Sequence, residues 1–342
     1  MKTVRLGKTE RQVSRVGFGG IPIQRLAEGE AVKVVRRCLD LGITFYDTAT
    51  GYTTSEERIG RALAGRREQV IIATKTPARD RATAEEHLEQ SLKRLNTDYL
   101  DLWQFHNIST VEAYEQVLGP NGAMEAAQEA LRAGKIRHIG ITSHSMDMAL
   151  KAVPSGHFET IQFPFNFVTH EPAKELLPLA QAHDVGFIAM KPLAGGLLDE
   201  ANLAIKYLLQ FENVLPDPGF QKVEEVEQIV DIVNGSWELT PQERQELERI
   251  RAEVGTRFCR RCEYCQPCPE GVRIPVMMNI HSFWRRMPAE RFFSGRIAQA
   301  VESARHCVQC GECEEKCPYD LPIREMLVEN ARFYESVASL QP

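Results

Sequence analysis

Up to about Phe220 the chain alternates two hydrophobic periods. Short apolar runs read as strands: VSRVGFGG, TFYDTA, QVIIATK, YLDLWQFH, RHIGITSH, TIQFPFN and GFIAMKP. Between them lie amphipathic stretches with helical spacing: EGEAVKVVRRCLDLG, SEERIGRALAG, TAEEHLEQSLKRLN, AMEAAQEALRAGK, AKELLPLAQAHD and LAIKYLLQF. Strand and helix in alternation predict parallel βαβ units. An eighth run, NVLPDPGF, is interrupted by two prolines, which weaken a strand. Together the runs predict an α/β fold built on an eight-stranded (β/α)8 TIM barrel. Two more helices, VEEVEQIVDIVNG and TPQERQELERIRAEV, close the region. In the second, Thr240 suits the N-cap, Pro241 the first turn, and Glu243 the capping box.

After Gly255 the texture changes. Strand alternation stops, and cysteine, proline and arginine take over. We place the boundary between Val254 and Arg257, giving a barrel over 1–254 and a smaller, mainly α-helical domain over 255–342. One run reads Cys259-x2-Cys262-x2-Cys265-x2-Cys268-Pro, the other Cys307-x2-Cys310-x2-Cys313-x3-Cys317-Pro. The second has the spacing of the bacterial ferredoxin run that ligates a 4Fe-4S cluster. Three thiolates on one tight loop reach three corners of a cube, and the fourth corner needs a ligand from elsewhere. In two-cluster ferredoxins the last cysteine of a run serves the other cluster. The expected sets are therefore Cys259, Cys262, Cys265 and Cys317 on one cluster, and Cys307, Cys310, Cys313 and Cys268 on the other. Two structural zinc sites are the alternative. Two complete four-cysteine runs, each ending in Cys-Pro, favour two 4Fe-4S clusters. The segment between the runs reads as helical and carries Phe283, Trp284, Phe292 and Phe293.

The composition is that of an ordinary globular protein of 342 residues, 43% hydrophobic and 26% charged. A net charge of −6 without a basic stripe argues against a nucleic-acid partner. The polar start MKTVRLGKTE lacks a signal-peptide core, and no apolar run approaches a membrane span. A cytoplasmic location is expected, where thiols stay reduced and clustered cysteines point to metal. Cys38, in the helical pattern VVRRCLDLG, reads as a buried structural thiol.

In a parallel barrel, reactive groups stand at the C-terminal ends of the strands. Asp47 ends the second run, Tyr52 follows in its loop, Lys75 ends the third, and His106 ends the fourth. Each alone has an ordinary reading: a turn aspartate, a rim aromatic, a solvated lysine, a core histidine. In order, they suit carbonyl reduction. A ketone that accepts hydride becomes an alkoxide and needs a proton. A tyrosine hydroxyl gives one more readily when a neighbouring ammonium lowers its pKa from about 10. Asp47 would hold Lys75 charged, and His106 would hydrogen-bond the carbonyl oxygen.

LGKTERQVSRVGFGG, YDTATGY, IIATK, LNTDYLDLWQFH and AGKIRHIGITS resemble the aldo-keto reductase family over most of Leu6 to Gln228. The resemblance implies the (β/α)8 barrel, hydride transfer between NAD(P)H and a carbonyl, and the tetrad roles of Asp47, Tyr52, Lys75 and His106. It also implies a nicotinamide site at Thr142, Ser143 and Gln162, where the family usually has Ser-Asn and Gln. Asn166 ends the sixth strand and is expected to serve the same mouth. AMKPL puts Met190 where the family has a stacking tyrosine, with Lys191 a new charge beside it. Glu224 and Glu225 lie where NADP-preferring members carry a basic group, which points to NADH. The tail resembles that of the subgroup ending in an α-helical dicluster ferredoxin domain.

A nicotinamide moves two electrons as hydride, a cluster moves one, and no flavin motif stands out to join them. The leading expectation is a carbonyl reductase or alcohol dehydrogenase acting on a small molecule, with two accessory clusters. The alternatives are an electron-transfer enzyme coupled to an external ferredoxin or flavoprotein, and a redox-sensing or interaction module.

Overall fold

All eight expected strand runs form strands in the computed structural model, which describes residues 1–339. A short antiparallel hairpin, β1 (Thr3–Arg5) and β2 (Gln12–Ser14), comes first. The barrel strands are β3 (Phe18–Gly19), β4 (Phe45–Asp47), β5 (Ile71–Thr76), β6 (Leu100–Phe105), β7 (Ile136–Thr142), β8 (Thr160–Pro164), β9 (Gly186–Met190) and β10 (Val214–Asp217). They pair in parallel in sequence order. The Gly17 and Gly19 amides donate to the Pro216 and Pro218 carbonyls at 2.8 and 2.7 Å and join the first strand to the last. Pro216 therefore lies within the strand and Pro218 directly follows its end, and each offers its carbonyl to the closing seam and needs no donor of its own.

The first unit also holds α1 (Glu28–Asp40), α2 (Ser55–Ala62), α3 (Arg81–Leu95), α4 (Val111–Leu118), α5 (Ala123–Arg132), α6 (Met146–Ala152), α7 (Leu176–Ala182), α8 (Ala201–Leu209) and α9 (Val223–Asn234). Of these elements, β1, α4 and α6 lie outside the expected set, and the first expected run, VSRVGFGG, divides between β2 and β3. Local chemistry fixes several helix ends. Asp80 caps α3 by accepting the Thr83 amide, and Asn96 ends it in the left-handed region at φ 51°. The outward faces of the strands and the inward faces of the helices form one large apolar core, in which Cys38 is fully buried and its thiol pKa is raised by burial.

Inside the barrel the two-residue period sets alternate layers. Phe45, Leu102 and Leu215 point inward low in the barrel, where Val4, Leu6 and Val13 of the hairpin close the floor. Two residues further along the same strands stand Asp47, Gln104 and Asp217, so the interior turns polar towards the C-terminal mouth.

The chain divides into two compact units, Met1–Thr240 and Pro241–Pro342. The helix expected at the end of the barrel, α10 (Pro241–Gly255), starts at Pro241 but groups with the second unit rather than the first. It buries only Leu247 among its residues, so its polar sequence marks no break at its start. The second unit continues with α11 (Ile274–Met277), α12 (Ile280–Arg286), α13 (Ala289–Phe292), α14 (Gly295–Ala304), α15 (Glu312–Glu315) and α16 (Ile323–Ala338). The segment between the cysteine runs is helical as expected. Phe292 packs with Trp284, Phe293 and Tyr334 at ring-centroid distances of 5.1, 5.0 and 5.3 Å. Among the described residues, no helix is long and apolar enough to cross a membrane.

One close approach gives a direct test. A Cβ on Gly60 in α2 would lie 2.6 Å from the Arg94 carbonyl oxygen and 2.7 Å from Leu95 backbone atoms. Alanine gains about 1 kcal/mol in helix propensity, but overpacking against backbone costs roughly 1–3 kcal/mol. Gly60→Ala should therefore lower the urea midpoint; a raised midpoint would show that the two helices separate freely.

Candidate active site and cluster loops

The C-terminal layer of the barrel interior is made of Asp47 on β4, Gln104 on β6, Gln162 on β8 and Asp217 on β10. These are alternate strands, the arrangement that builds each layer of such a barrel, usually from branched apolar residues. Here all four side chains are polar and buried. Gln104 Nε2 donates to Asp47 Oδ1 at 3.3 Å and to Gln162 Oε1 at 3.4 Å. Gln162 Nε2 donates to Asp47 Oδ2 and to Asp217 Oδ2, both at 3.3 Å.

Lys75 reaches the same layer from β5. Its Nζ donates to Asp47 Oδ2 at 2.6 Å and to the Thr48 carbonyl at 2.7 Å, with 2% of the side chain exposed. Burial works against its charge, but Asp47, Tyr52 and Asp217 outweigh burial and raise its pKa above the ordinary lysine value. The ammonium lies 4.9 Å from the centroid of the Tyr52 ring, and that ring meets His106 edge-on at 5.8 Å. Asp47, Tyr52, Lys75 and His106 are thus brought together at one end of the barrel. The arrangement can hold a cation against a phenol with an imidazole alongside.

The residues expected at a nicotinamide are less uniform. Thr142 ends β7, and its Oγ accepts the Asn107 amide at 2.8 Å. Ser143 is buried; its Oγ accepts the Ser145 amide at 3.1 Å and donates to the Ser145 carbonyl at 3.2 Å. Asn166 accepts the Val168 and Thr169 amides at 2.9 and 2.8 Å and donates to the Lys191 carbonyl at 2.9 Å, so its amide fastens its own loop. Met190 ends β9 half-buried, and Lys191 follows with φ 57°. Glu225 folds back to accept the Gln221 and Lys222 amides at 2.7 and 3.2 Å, which caps α9. Sequence reasoning passed over Gln104, Asp217 and the Asn107–His144 contact of 2.9 Å at the mouth. The available signal was a polar residue at an inward position of an apolar strand, as in LWQF and VLPDP.

The cysteine loops repeat one backbone shape. In the first, Arg261 and Glu263 have φ of 63° and 69°; in the second, the equivalent Gln309 and Gly311 have 63° and 88°. Three of these four are not glycine, so each loop holds a conformation that costs roughly 1 kcal/mol per residue. Burial raises the Cys265 thiol to about 12, and Cys259, Cys262, Cys313 and Cys317 add to it. Cys262 is likewise raised by burial, then by Cys259 and Cys317. Cys268 instead lines a cavity with Cys265, Cys307, Cys310 and Cys313. Cys317 thus acts on thiols of the first run, and Cys268 shares its cavity with thiols of the second. Two four-cysteine runs of this kind suit a cationic iron–sulfur core, which holds its ligands as thiolates. The second loop is fixed by Arg324, whose Nε and Nη2 donate to Glu314 at 2.9 and 2.7 Å. In the first, Arg260 lies 4.0 Å over the Tyr319 ring.

Comparison with known proteins fits both halves. Residues 15–203 match the aldo/keto reductase family, and residues 258–322 match a 4Fe-4S dicluster domain. Aldo-keto reductase YhdN of Bacillus subtilis is 33% identical over 244 residues, 65% of this chain and 71% of that protein. L-galactose dehydrogenase of Arabidopsis thaliana is 35% identical over 214 residues, 57% of this chain and 66% of that protein. Among solved structures, the holo form of an aldo-keto reductase from Bacillus halodurans superposes with a TM-score of 0.64 at 28% identity, over 73% of this chain and 96% of its own. An aldo/keto reductase from Klebsiella pneumoniae in complex with NADP and acetate gives 0.63 at 26%, over 73% and 95%.

Lys75→Met keeps the aliphatic stem but strips the buried Asp47 of its ion-pair partner. Folding stability should fall by about 3 kcal/mol in urea unfolding at pH 7. An unchanged midpoint would show that the ion pair is solvated in solution.

Proposed function

This chain belongs to the aldo/keto reductase family and carries a 4Fe-4S dicluster domain, and we propose that it reduces a small carbonyl compound with NAD(P)H, or oxidises the alcohol, at the barrel mouth. The observation that carries this reading is the Lys75 ammonium held by Asp47 and facing the Tyr52 ring. Bound NAD(P)H supplies a hydride to the carbonyl carbon. The Tyr52 hydroxyl gives its proton to the alkoxide oxygen that results. Lys75 stabilises the phenolate left behind, and Asp47 keeps the ammonium in place. His106 hydrogen-bonds the carbonyl oxygen and orients it.

Thr142, Ser143 and Gln162 would hold the nicotinamide end of the cofactor, with Met190 and Lys191 as the neighbouring residues of the mouth. Glu224 at the start of α9 favours NADH over a 2′-phosphate, although a similar Klebsiella enzyme is described in complex with NADP. Cys259, Cys262, Cys265 and Cys317 hold one 4Fe-4S cluster, and Cys307, Cys310, Cys313 and Cys268 the other. The reduced thiolates this requires suit the cytoplasm.

A second reading concerns the clusters. Cys310 is exposed, and Val308 beside it is 64% exposed. That loop offers an external ferredoxin or flavoprotein a short path to one cluster.

Two outcomes are expected. Tyr52→Phe should lower NAD(P)H-dependent carbonyl turnover by about 10²–10⁴-fold while iron content holds; retained turnover would remove Tyr52 from the chemistry. Cys310→Ala should lose roughly half of the iron and sulfide; unchanged iron would show that Cys310 is not a ligand.

A further inference from the structure

The polar layer holds one more carboxyl than the tetrad uses. Asp217 stands where the barrel closes, between two prolines whose carbonyls accept the Gly17 and Gly19 amides. That seam fixes the backbone on both sides of residue 217 and holds its side chain inside the barrel, 6% exposed.

The hydrogen supply of the layer is countable. Each glutamine amide has two N–H groups to give. Gln104 gives one to Asp47 and one to Gln162; Gln162 gives one to each carboxyl. With Lys75, Asp47 collects three donors. Asp217 receives only the Gln162 contact at 3.3 Å, and its Oδ1 is buried without a hydrogen-bond partner. A carboxylate held by one long hydrogen bond in a buried site is costly, whereas a neutral acid needs less and has a proton to give. Asp47, which shares the Gln162 donor with Asp217, lies within hydrogen-bonding reach of it and is itself tied to the ammonium, is the acceptor.

We propose that Asp47 and Asp217 share one proton across the barrel interior, and that Asp217 is thereby a positioning residue for the Lys75–Tyr52 pair. This rests on the tetrad reading above. Burial, and then the neighbouring Asp47 charge, raise the Asp217 pKa well above the ordinary carboxyl value, with Lys75 and Gln162 opposing. The charged or titratable groups facing it are Asp47 from β4 and Lys75 from β5, with Tyr52 beyond the ammonium; β6 and β8 contribute the neutral Gln104 and Gln162. With Asp217 neutral, one carboxylate opposes one ammonium, and the field of Lys75 remains available to a Tyr52 phenolate. Once Asp217 ionises, two carboxylates face that ammonium and the phenolate loses support. The effect has one sign: the site is competent below the raised Asp217 value and weakens as pH climbs through it. Stability moves the same way, because the native state holds a proton that the unfolded chain releases near pH ~3.9.

Infrared spectroscopy of the intact cluster-loaded protein tests this without any substrate. At pH 7 the wild type should show the stretch of a protonated carboxyl. Asp217→Asn, an isostere that can still donate to Asp47, should abolish it. Asp47→Asn should abolish it too, since Asp217 then becomes the carboxylate that answers Lys75. No band in the wild type, or a band kept in Asp217→Asn, overturns the proposal. A band lost in Asp217→Asn but kept in Asp47→Asn overturns the sharing. If Asp217→Asn does not fold, the wild type and Asp47→Asn still decide. The kinetic arm compares the alkaline limb of kcat for carbonyl reduction, each protein normalised to its own neutral-pH value. Asp217→Asn should extend the limb by about one pH unit, roughly tenfold in rate at its upper end. Superimposable limbs overturn the positioning role. Absence of carbonyl turnover in the wild type would count against the proposed reaction, while the infrared result would still decide the shared proton.

Discussion

An ammonium with 2% of its side chain exposed is the constraint around which the barrel mouth is arranged. Leaving such a charge unpaired in the interior costs several kcal/mol. The chain meets it with Asp47 at 2.6 Å and the Thr48 carbonyl at 2.7 Å. Asp47 must in turn be held, and Gln104 and Gln162 do this from two further strands. The polar layer follows from that need, and it replaces the apolar filling usual at this height in such a barrel. The floor beneath it stays apolar, plugged by Val4, Leu6 and Val13. Stability is thus concentrated at one end of the strands and reactivity at the other.

Much of this arrangement was legible in the sequence, for a physical reason. Parallel strands covered by helices are buried on both faces, so their apolar runs stand out. A side chain that stands at the mouth must come just after such a run, which made the grouping of Asp47, Tyr52, Lys75 and His106 readable in order. What escaped notice was short or contrary to local preference. The hairpin strand β1 has three residues, and α6 has seven, too few to establish a period. Asp217 sits between two prolines and reads as a turn residue; only barrel closure turns it inward. Asn166 reads as a candidate contact because it ends a strand, yet its three hydrogen bonds secure its own loop.

The second unit follows a different logic. Its cysteine runs were plain from spacing alone, because a cube of iron and sulfur demands several thiolates within a few residues. The matching left-handed positions at Arg261 and Gln309, and at Glu263 and Gly311, were not readable, since only one of the four is glycine. The chain accepts strain there in residue types that ordinarily avoid it. The two units also differ in electron count. The chemistry proposed for the barrel moves a pair of electrons as one hydride, whereas a cluster takes one at a time. A reaction completed within the barrel has no step that needs the clusters.

That separation is open to one direct measurement. The protein, kept anaerobic with its clusters intact, is supplied with NADH or NADPH deuterated at both C4 positions and a panel of simple aldehydes and ketones. The products are then analysed by mass spectrometry. Deuterium on the former carbonyl carbon of the alcohol is the predicted result, because the barrel passes hydride directly from nicotinamide to substrate. Alcohol formed without the label, with deuterium released to solvent while the clusters become reduced, would contradict the account and make the clusters the route of the electrons.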